Sequence, residues 1–279
     1  MPGRLAPTPS GHLHLGNALA FGAAWLSARA VGTTLLLRME DLDRGRARPE
    51  IMESQREDLA WLGLDWDAEV PPQSLRSYSL AGLDVYRCDC PRRTRLAGQC
   101  ACRDANKSEG ACCFRVKPGG VAFVDRARGA QCWEPEADPV LQRADGEAAY
   151  PLAVVIDDHR DGVDQVVRGA DLLEATAVQL QLYDAWGWRP PTWLHVPLLL
   201  GPDGRKLSKS HQSAELRALR AAGFGPERVW GALRPAFGLA PARSCRLWDL
   251  IEEFEAAKIP EGPFEVGEEG RLSVRGARA

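Results

Sequence analysis

The stretch RLAPTPSGHLHLGNA, residues 4–18, decides the fold of this chain. It begins as a short strand candidate, turns where Pro7, Pro9 and Gly11 interrupt it, and enters an alanine-rich helix at about Gly16. A helix that begins at the carboxyl edge of a parallel sheet presents unpaired N–H groups and the positive end of its dipole to anions. The sequence therefore predicts an anion site at this first turn.

Two histidines stand in that turn. His12 and His14 can donate hydrogen bonds to phosphate oxygens, above all when charge builds up in a transition state. Gly16 lets a ring or a backbone approach closely, because it has no Cβ. A histidine in front of a helix is more often a cap or a packed side chain, so the turn by itself does not identify a site.

Apolar runs alternate with helical patterns on both sides of the chain's middle. The run TTLLLRMED (33–41) ends in carboxylates, as a buried parallel strand does at its outer edge, and PEIMESQREDLAWLGL (49–64) has a helical pattern. The alternation resumes with YPLAVVIDD (150–158), VDQVVRGAD (163–171) and TWLHVPLLL (192–200), with the helix LLEATAVQLQLYDAWG between the last two. The predicted fold is α/β with a Rossmann-like parallel sheet.

The chain divides into three predicted parts. Residues 1–75 and 146–205 form the catalytic domain, and residues 76–145, rich in Cys, Arg and Gly, form an inserted subdomain whose one strand candidate is VAFVDRA. Residues 206–279 hold a loop, three helices and a frayed tail. The three predicted helices are SAELRALRAAG, PERVWGALRPAFG and LWDLIEEFEAAK.

The composition is that of an ordinary soluble globular protein, with 279 residues, 45% hydrophobic and 26% charged. The formal net charge of −3 excludes a general electrostatic attraction to nucleic acid, so any RNA contact must come from local patches. PRRTR (91–95) is one such patch, with a solvated loop as the equal alternative. Without a long apolar run or a signal-peptide core at the N-terminus, the chain is expected to be cytoplasmic.

The stretch GPDGRKLSKSHQ (201–212) places two lysines three residues apart, Lys206 and Lys209, behind glycines. An isolated pair of this kind is more often a solvated surface turn. Here the other blocks decide, because HLGN (14–17) and KLSKS (206–210) match the two signature motifs of class I aminoacyl-tRNA synthetases. The chain resembles the glutamate branch of that family, whose further blocks LLLRMEDLDR, AYPLAVVIDD, VVRGADLL and HVPLLLGPDGRKLSKS occur in order.

The resemblance implies an ATP site and a catalytic role for the late loop. The loop is expected to close over ATP, with Mg²⁺, while His14, Lys206 and Lys209 stabilise the adenylation transition state. The expected ATP-binding residues are His12, His14, Gly16, Asn17, Lys206 and Lys209.

The resemblance also implies a glutamate pocket. Glu40 matches the partner of the substrate ammonium, Arg4 and Arg168 match the two carboxylate-binding arginines, and Tyr150, Thr8 and Ala6 complete the set. Which arginine binds which carboxylate is left open. The alternative for Glu40 and Arg168 is a structural ion pair. Val154 departs from the Asn that is frequent at its position in glutamyl-tRNA synthetases.

Six of the eight cysteines fall between Cys88 and Cys113. CDCPRRTRLAGQCACR supplies Cys88, Cys90, Cys100 and Cys102, four thiolates for one closed tetrahedral zinc site of structural type. Cys112 or Cys113 is the alternative for the fourth ligand, and free reduced thiols are the alternative to any metal.

Few residues follow the KLSKS block in this sequence, so we expect no further anticodon-reading domain of roughly 100 residues. This arrangement resembles the glutamyl-Q tRNA(Asp) synthetase family. That family uses ATP and Mg²⁺ to activate L-glutamate and places it on queuosine in the anticodon of tRNA(Asp). The resemblance implies these partners, a monomer and no membrane. The alternatives are a compact glutamyl-tRNA synthetase that charges the tRNA 3′ end, a ligase that adenylates another acid, and a catalytically idle paralogue that acts as a binding module.

Overall fold

The computed structural model describes residues 2–91, 94–95, 100–207, 214–267 and 274–276. Lys209 of the KLSKS block and Arg92 and Arg93 of the PRRTR patch lie outside the described residues.

Thirteen strands in the described residues form four small sheets. The strands are β1 (Gly3–Leu5), β2 (Leu35–Leu37), β3 (Ala68–Glu69), β4 (Val85–Cys88), β5 (Ala111–Phe114), β6 (Val121–Asp125), β7 (Gly129–Trp133), β8 (Val140–Gln142), β9 (Gln165–Gly169), β10 (Thr192–Val196), β11 (Leu199–Leu200), β12 (Phe264–Val266) and β13 (Val274–Gly276).

Six α-helices are described. They are α1 (Leu15–Arg29), α2 (Pro49–Trp61), α3 (Tyr150–Arg160), α4 (Leu173–Trp186), α5 (Leu216–Ala221) and α6 (Pro226–Leu233).

Two sheets with parallel pairing meet edge to edge and carry the site. One has the order β1-β2-β3, all parallel, and the other has the order β7-β6-β10-β9, in which β9 and β6 run parallel to β10. They join where the Pro2 carbonyl accepts hydrogen bonds from the backbone N–H groups of Asp164, at 2.9 Å, and Gln165, at 3.2 Å. The predicted α/β class with a parallel sheet is confirmed.

The apolar segment 150–158 is a helix, α3, and not a further strand of the alternation. Pro151 occupies its first turn, where a missing N–H costs nothing, and its residues from Leu152 to Asp158 are all buried. An apolar run that is buried on all sides has no clear period, so its sequence pattern does not separate strand from helix.

The stretch between residues 76 and 145 contributes to two sheets. Strands β4, β5 and β8 form an antiparallel sheet of their own, whereas Asp125 of β6 lies opposite Trp193 of β10 in the second parallel sheet. Residues assigned to the insertion therefore continue the catalytic sheet. The three-part division stays a prediction.

The C-terminal part is less helical than its pattern indicates. Two of the predicted helices form α5 and α6, but residues 247–258 form only short 3-10 turns, at Trp248–Leu250 and Ala256–Lys258. Part of the tail is ordered, since β12 pairs with β11 and β13 with β12. Leu247, Leu250 and Phe254 are buried in the main core, and this packing overrides helix propensity.

The main core joins α1 to the C-terminal part. Trp25 on α1 and Trp230 on α6 are both fully buried, and a Cβ on Gly22 would come within 2.6 Å of the Trp230 ring. Only glycine permits this approach. Within the described part of the chain, no helix combines the length and the apolarity that a membrane crossing requires.

Candidate active site

A cleft of about 480 Å³ opens at the carboxyl ends of β1, β9 and β10 and at the first turn of α1. Every described residue that the sequence assigned to glutamate or ATP lines this one cleft. These residues are Arg4, Ala6, Thr8, His12, His14, Gly16, Asn17, Glu40, Tyr150, Arg168 and Lys206. Residues from five separate blocks of sequence thus share one concave surface, as a ligand site requires.

His14 is the N-cap of α1. The Gly16 N–H donates to its Nδ1 at 3.1 Å, and the Asn17 Oδ1 accepts from the His14 N–H at 3.0 Å. Because Nδ1 accepts, the neutral ring carries its proton on Nε2, the atom from which it can donate. A Cβ on Gly16 would come within 3.0 Å of the His14 ring, so this position favours glycine. His14 is therefore a cap that also lines the cleft, and Asn17 contributes through the cap.

His12 lies on the same turn. Its Nδ1 is 3.1 Å from the Ser54 hydroxyl of α2. Burial, followed by the nearby Arg217 charge, lowers the pKa of His12, which therefore stays neutral at pH 7. The Gln55 amide donates to the carbonyls of Thr8 and Gly11, at 3.0 and 2.7 Å, and fixes the loop in front of the helix.

One side of the Arg4 guanidinium is held by protein groups, and the other side is available to a ligand in the cleft. Its Nε donates to Asp158 Oδ1 at 3.0 Å and its Nη1 to the Val167 carbonyl at 3.4 Å, so Nη2 keeps two donors without a partner among the described residues. Burial alone would raise the pKa of Asp158, but Arg4 and Arg38 lower it below its usual value. Asp158 is therefore an ionised anchor for both arginines.

Arg38 lies beneath the pocket and was not anticipated from the sequence. It is completely buried and donates to Asp158 at 2.6 Å, Asp161 at 3.0 Å and Glu40 at 3.3 Å. Burial raises the pKa of Glu40 against the opposing charges of Arg38 and Arg4. The Glu40 carboxylate thus lines the cleft while it forms an ion pair with Arg38.

Arg168 is fixed from the opposite side by residues that sequence reasoning missed. Its Nε donates to His195 Nε2 at 3.0 Å, its Nη1 to Gln179 at 2.8 Å, and its Nη2 to Thr176 at 2.7 Å and the Leu172 carbonyl at 3.1 Å. These bonds use four of the five N–H groups, and the Tyr150 side chain is a further hydrogen-bond partner of Arg168. The guanidinium also lies 4.8 Å from the Trp193 ring centroid. Arg168 makes no ion pair with Glu40 in the described structure.

His195 is in turn held by Asp125. The imidazole Nδ1 lies 2.7 Å from Asp125 Oδ2, and both residues are fully buried. Burial lowers the pKa of His195, so the ring is neutral, and the carboxylate places its proton on Nδ1. Nε2 is then the acceptor that Arg168 needs. One sequence feature could have pointed to His195, namely its position inside the apolar stretch TWLHVPLLL (192–200).

Lys206 reaches across the cleft from the late loop. Its Nζ pairs with the Asp171 carboxylate, which follows β9, and its side chain is 51% exposed. Lys206 is thus near the predicted phosphate site. Lys209 lies outside the described residues.

Comparison with known proteins identifies the family. The family model for class I tRNA synthetases of the E and Q type, catalytic domain, matches residues 2–85 and 86–255. A glutamyl-Q tRNA(Asp) synthetase of Nitratidesulfovibrio vulgaris is 43% identical over 94% of this chain and 94% of its own length. One from Symbiobacterium thermophilum is 38% identical over 99% of both. The chain belongs to the glutamyl-Q tRNA(Asp) synthetase family.

Solved structures agree with the fold of this class I synthetase family. The glutamate-tRNA synthetase of Elizabethkingia anophelis superposes with a TM-score of 0.77 at 24% identity, covering 96% of this chain and 68% of that one. A glutamate tRNA ligase from Elizabethkingia meningosepticum, solved with its amino acid, gives a TM-score of 0.75 at 23% identity, covering 95% of this chain and 66% of that one. This chain spans about two thirds of each solved chain.

The synthetase chain also brings four cysteines together. The sulfur atoms of Cys88, Cys90, Cys100 and Cys102 all lie within 4.8 Å of one another, with pairs at 3.5 Å (Cys88–Cys100) and 3.4 Å (Cys90–Cys102). Four thiolates around zinc at about 2.3 Å require sulfur atoms about 3.8 Å apart, so the donor set and spacing fit the ion. Cys112 and Cys113 lie on the neighbouring strand β5.

Val154, the noted departure from the synthetase pattern, does not line the cleft among the described residues. It is buried on α3 in the second apolar core, with Leu152 and Tyr183. The substitution therefore acts on packing behind the pocket.

Proposed function

We propose that this chain activates L-glutamate with ATP and transfers the glutamyl group to queuosine in the anticodon of tRNA(Asp). One observation carries the proposal: Arg4, Arg168, the Glu40 carboxylate and the capped start of α1 line a single cleft. Glutamate has one ammonium and two carboxylates, and this set complements its charges. The names of the curated relatives support the acceptor.

The pocket would bind glutamate in a fixed orientation. The paired Nη2 donors of Arg4 suit a carboxylate, Arg168 with its partner Tyr150 suits a second oxygen group, and Glu40 suits the ammonium. Because Arg38, Asp158 and His195 hold these groups before the substrate arrives, little reorganisation is needed on binding.

Activation requires attack of a glutamate carboxylate oxygen on the α-phosphorus of ATP. The new P–O bond forms as the bond to the bridging oxygen breaks, and pyrophosphate leaves. The His14 Nε2–H would donate to phosphate oxygen, and Lys206, with Lys209, would neutralise the leaving group. Lys206 must then exchange its contact with Asp171 for one with phosphate.

Mg²⁺ would supply further neutralisation of the phosphates. The cleft carboxylates Glu40 and Asp171 are both already paired with basic side chains. The described residues therefore form no dedicated cage, and the ion would arrive with ATP, as Mg²⁺ commonly does.

Transfer requires no side chain as a covalent nucleophile, because AMP already makes the acyl carbon electrophilic. A hydroxyl of the acceptor attacks the carbonyl carbon of glutamyl-AMP. The ester C–O bond forms, the acyl–phosphate bond breaks, and AMP leaves with the proton.

The four-cysteine cluster would hold one zinc ion in a structural role. All four positions of a tetrahedral site are then filled by protein thiolates, which leaves none for substrate. The ion would tie β4 to the 3-10 turn Ala101–Asp104.

Pyrophosphate exchange into ATP tests the activation step. We expect exchange that depends on L-glutamate and that neither L-glutamine nor L-aspartate supports. Exchange that only another acid supports would make the chain a different ligase. If no amino acid supports exchange, with or without tRNA, the chain would be an idle binding module.

A further inference from the structure

A second cavity, of about 390 Å³, adjoins the cleft and shares Tyr150 and Asp171 with it. One wall is the segment 136–140, which leads from β7 into β8. The other wall is the first part of α4, from Glu174 to Gln179. A group bound in this second cavity would therefore lie next to an acyl group held in the first.

The second cavity is strongly acidic. Among the described residues, four carboxylates and one cation, Arg95, line it; the carboxylates belong to Glu136, Asp138, Asp171 and Glu174. Two are neutralised within the protein, since Asp138 pairs with Arg103 at 3.2 Å and Asp171 with Lys206. In the described part of the chain, Glu136 and Glu174 have no hydrogen bond or ion pair. Their negative charges remain for a cationic ligand.

A buried donor supplies an independent indication of a ligand. Gln179 is 2% exposed and lines the second cavity, and its Oε1 accepts from Arg168 Nη1 at 2.8 Å. Its Nε2 is buried without a partner among the described residues. Buried side-chain donors normally have acceptors, so this amide lacks an oxygen that a ligand can provide.

We propose that this second cavity is the acceptor pocket, and that it recognises a nucleoside arm in which a protonated amine stands beside hydroxyl groups. The inference rests on the proposed function. The arm of queuosine joins a secondary amine to its cyclopentene-diol and is cationic at neutral pH. Glu136 and Glu174 hold the ammonium, and the Gln179 amide donates to one hydroxyl oxygen. The other hydroxyl attacks glutamyl-AMP across the boundary at Tyr150.

Removing the two unpaired charges tests this assignment. We expect the double variant Glu136→Gln/Glu174→Gln to keep wild-type glutamate-dependent pyrophosphate exchange. Its kcat/KM for transfer to queuosine-containing tRNA(Asp) should fall roughly tenfold to a hundredfold, the usual effect of losing bonds to a charged group. Asp184→Asn is the matched control, since it removes one carboxylate from the same helix outside the cavity and should change neither activity.

Inhibition by a small cationic nucleobase is the second part of the test. The probe 7-aminomethyl-7-deazaguanine carries the amine but no diol that could be acylated, and guanine lacks the amine. We expect the probe, and not guanine, to inhibit transfer by the wild type, and the double variant to lose this inhibition. If the double variant transfers glutamate to the tRNA as well as the wild type does, the acceptor pocket is wrong but the proposed function stands. A wild type that never labels queuosine-containing tRNA would overturn the proposed function, and the pocket with it.

Discussion

The Nε2 atom of His195 accepts a hydrogen bond from Arg168 Nε at 3.0 Å. The ring can accept because Asp125 holds the proton on Nδ1, 2.7 Å away. Asp125 lies on β6 and Arg168 on β9, on either side of His195 on β10. The orientation of a cleft arginine is thus set by two buried residues that do not line the cleft in the described structure.

His195 is therefore expected to be a positioning residue for glutamate. In His195→Gln, the amide oxygen retains an acceptor near Nε2, whereas His195→Asn is too short to reach Arg168. We expect His195→Asn to raise the KM for glutamate by roughly tenfold or more, with His195→Gln much closer to wild type.

The KM for ATP separates this role from a merely structural one. It should stay unchanged in both variants, because the proposed function assigns Arg168 to glutamate and not to ATP. Equal effects of the two substitutions, or equal changes in both KM values, would contradict the positioning role.

Lys206 is expected to act on the leaving group. Lys206→Met should lower kcat for pyrophosphate exchange by about a hundredfold, the range seen when one transition-state contact is lost, with little change in the KM for glutamate. Arg205→Met is the control, because Arg205 carries the same charge on the same loop but does not line the cleft. A Lys206→Met enzyme with normal kcat would remove this residue from the mechanism.

Zinc should be released only when the cysteine cluster is broken. Metal analysis of purified protein should give about one zinc per chain, falling in Cys100→Ser, together with a lower Tm, because the ion contributes to folding. Cys112→Ser alters a buried cysteine on the adjacent strand β5, outside the cluster, and should keep the zinc. Zinc loss in Cys112→Ser but not in Cys100→Ser would reassign the fourth ligand.

Asp58 is expected to make stability depend on pH. It is fully buried on α2, its two carboxylate oxygens have no hydrogen bond among the described residues, and burial raises its pKa to about 6. A raised folded pKa means that ionisation opposes folding. The wild type should lose stability relative to Asp58→Asn as pH rises from about 4 to about 6.

Two pKa units at 1.36 kcal/mol each lower the unfolding free energy by roughly 3 kcal/mol at pH 7, and about 2 kcal/mol of this change develops between pH 4.5 and pH 7.5. Urea unfolding of both proteins at pH 4.5 and pH 7.5 measures it. Because only the difference between the two proteins is used, other titrating groups cancel. A difference that does not change with pH would mean that Asp58 titrates normally.

The ordered motifs were sufficient to predict the parallel sheet and the cleft residues, since strand ends such as Glu40 and Arg168 converge wherever parallel strands are adjacent. Local pattern could not predict Asp125 or His195, because their roles depend on pairing between strands about 70 residues apart. It also failed for α3, a fully buried run without a clear period. The sequence pattern also did not predict the 3-10 turns after Leu247, because tertiary packing there outweighs helix propensity.

The position of the transferred glutamate tests the central claim most directly. Radiolabelled L-glutamate, ATP and the purified chain would be incubated with tRNA(Asp) that contains queuosine and with the same tRNA carrying guanosine instead. Nuclease digestion then separates the anticodon fragment from the 3′-terminal adenosine. The proposal predicts label on the anticodon fragment, and only when queuosine is present. Label on the terminal adenosine, independent of queuosine, would contradict it and would make the chain a compact glutamyl-tRNA synthetase.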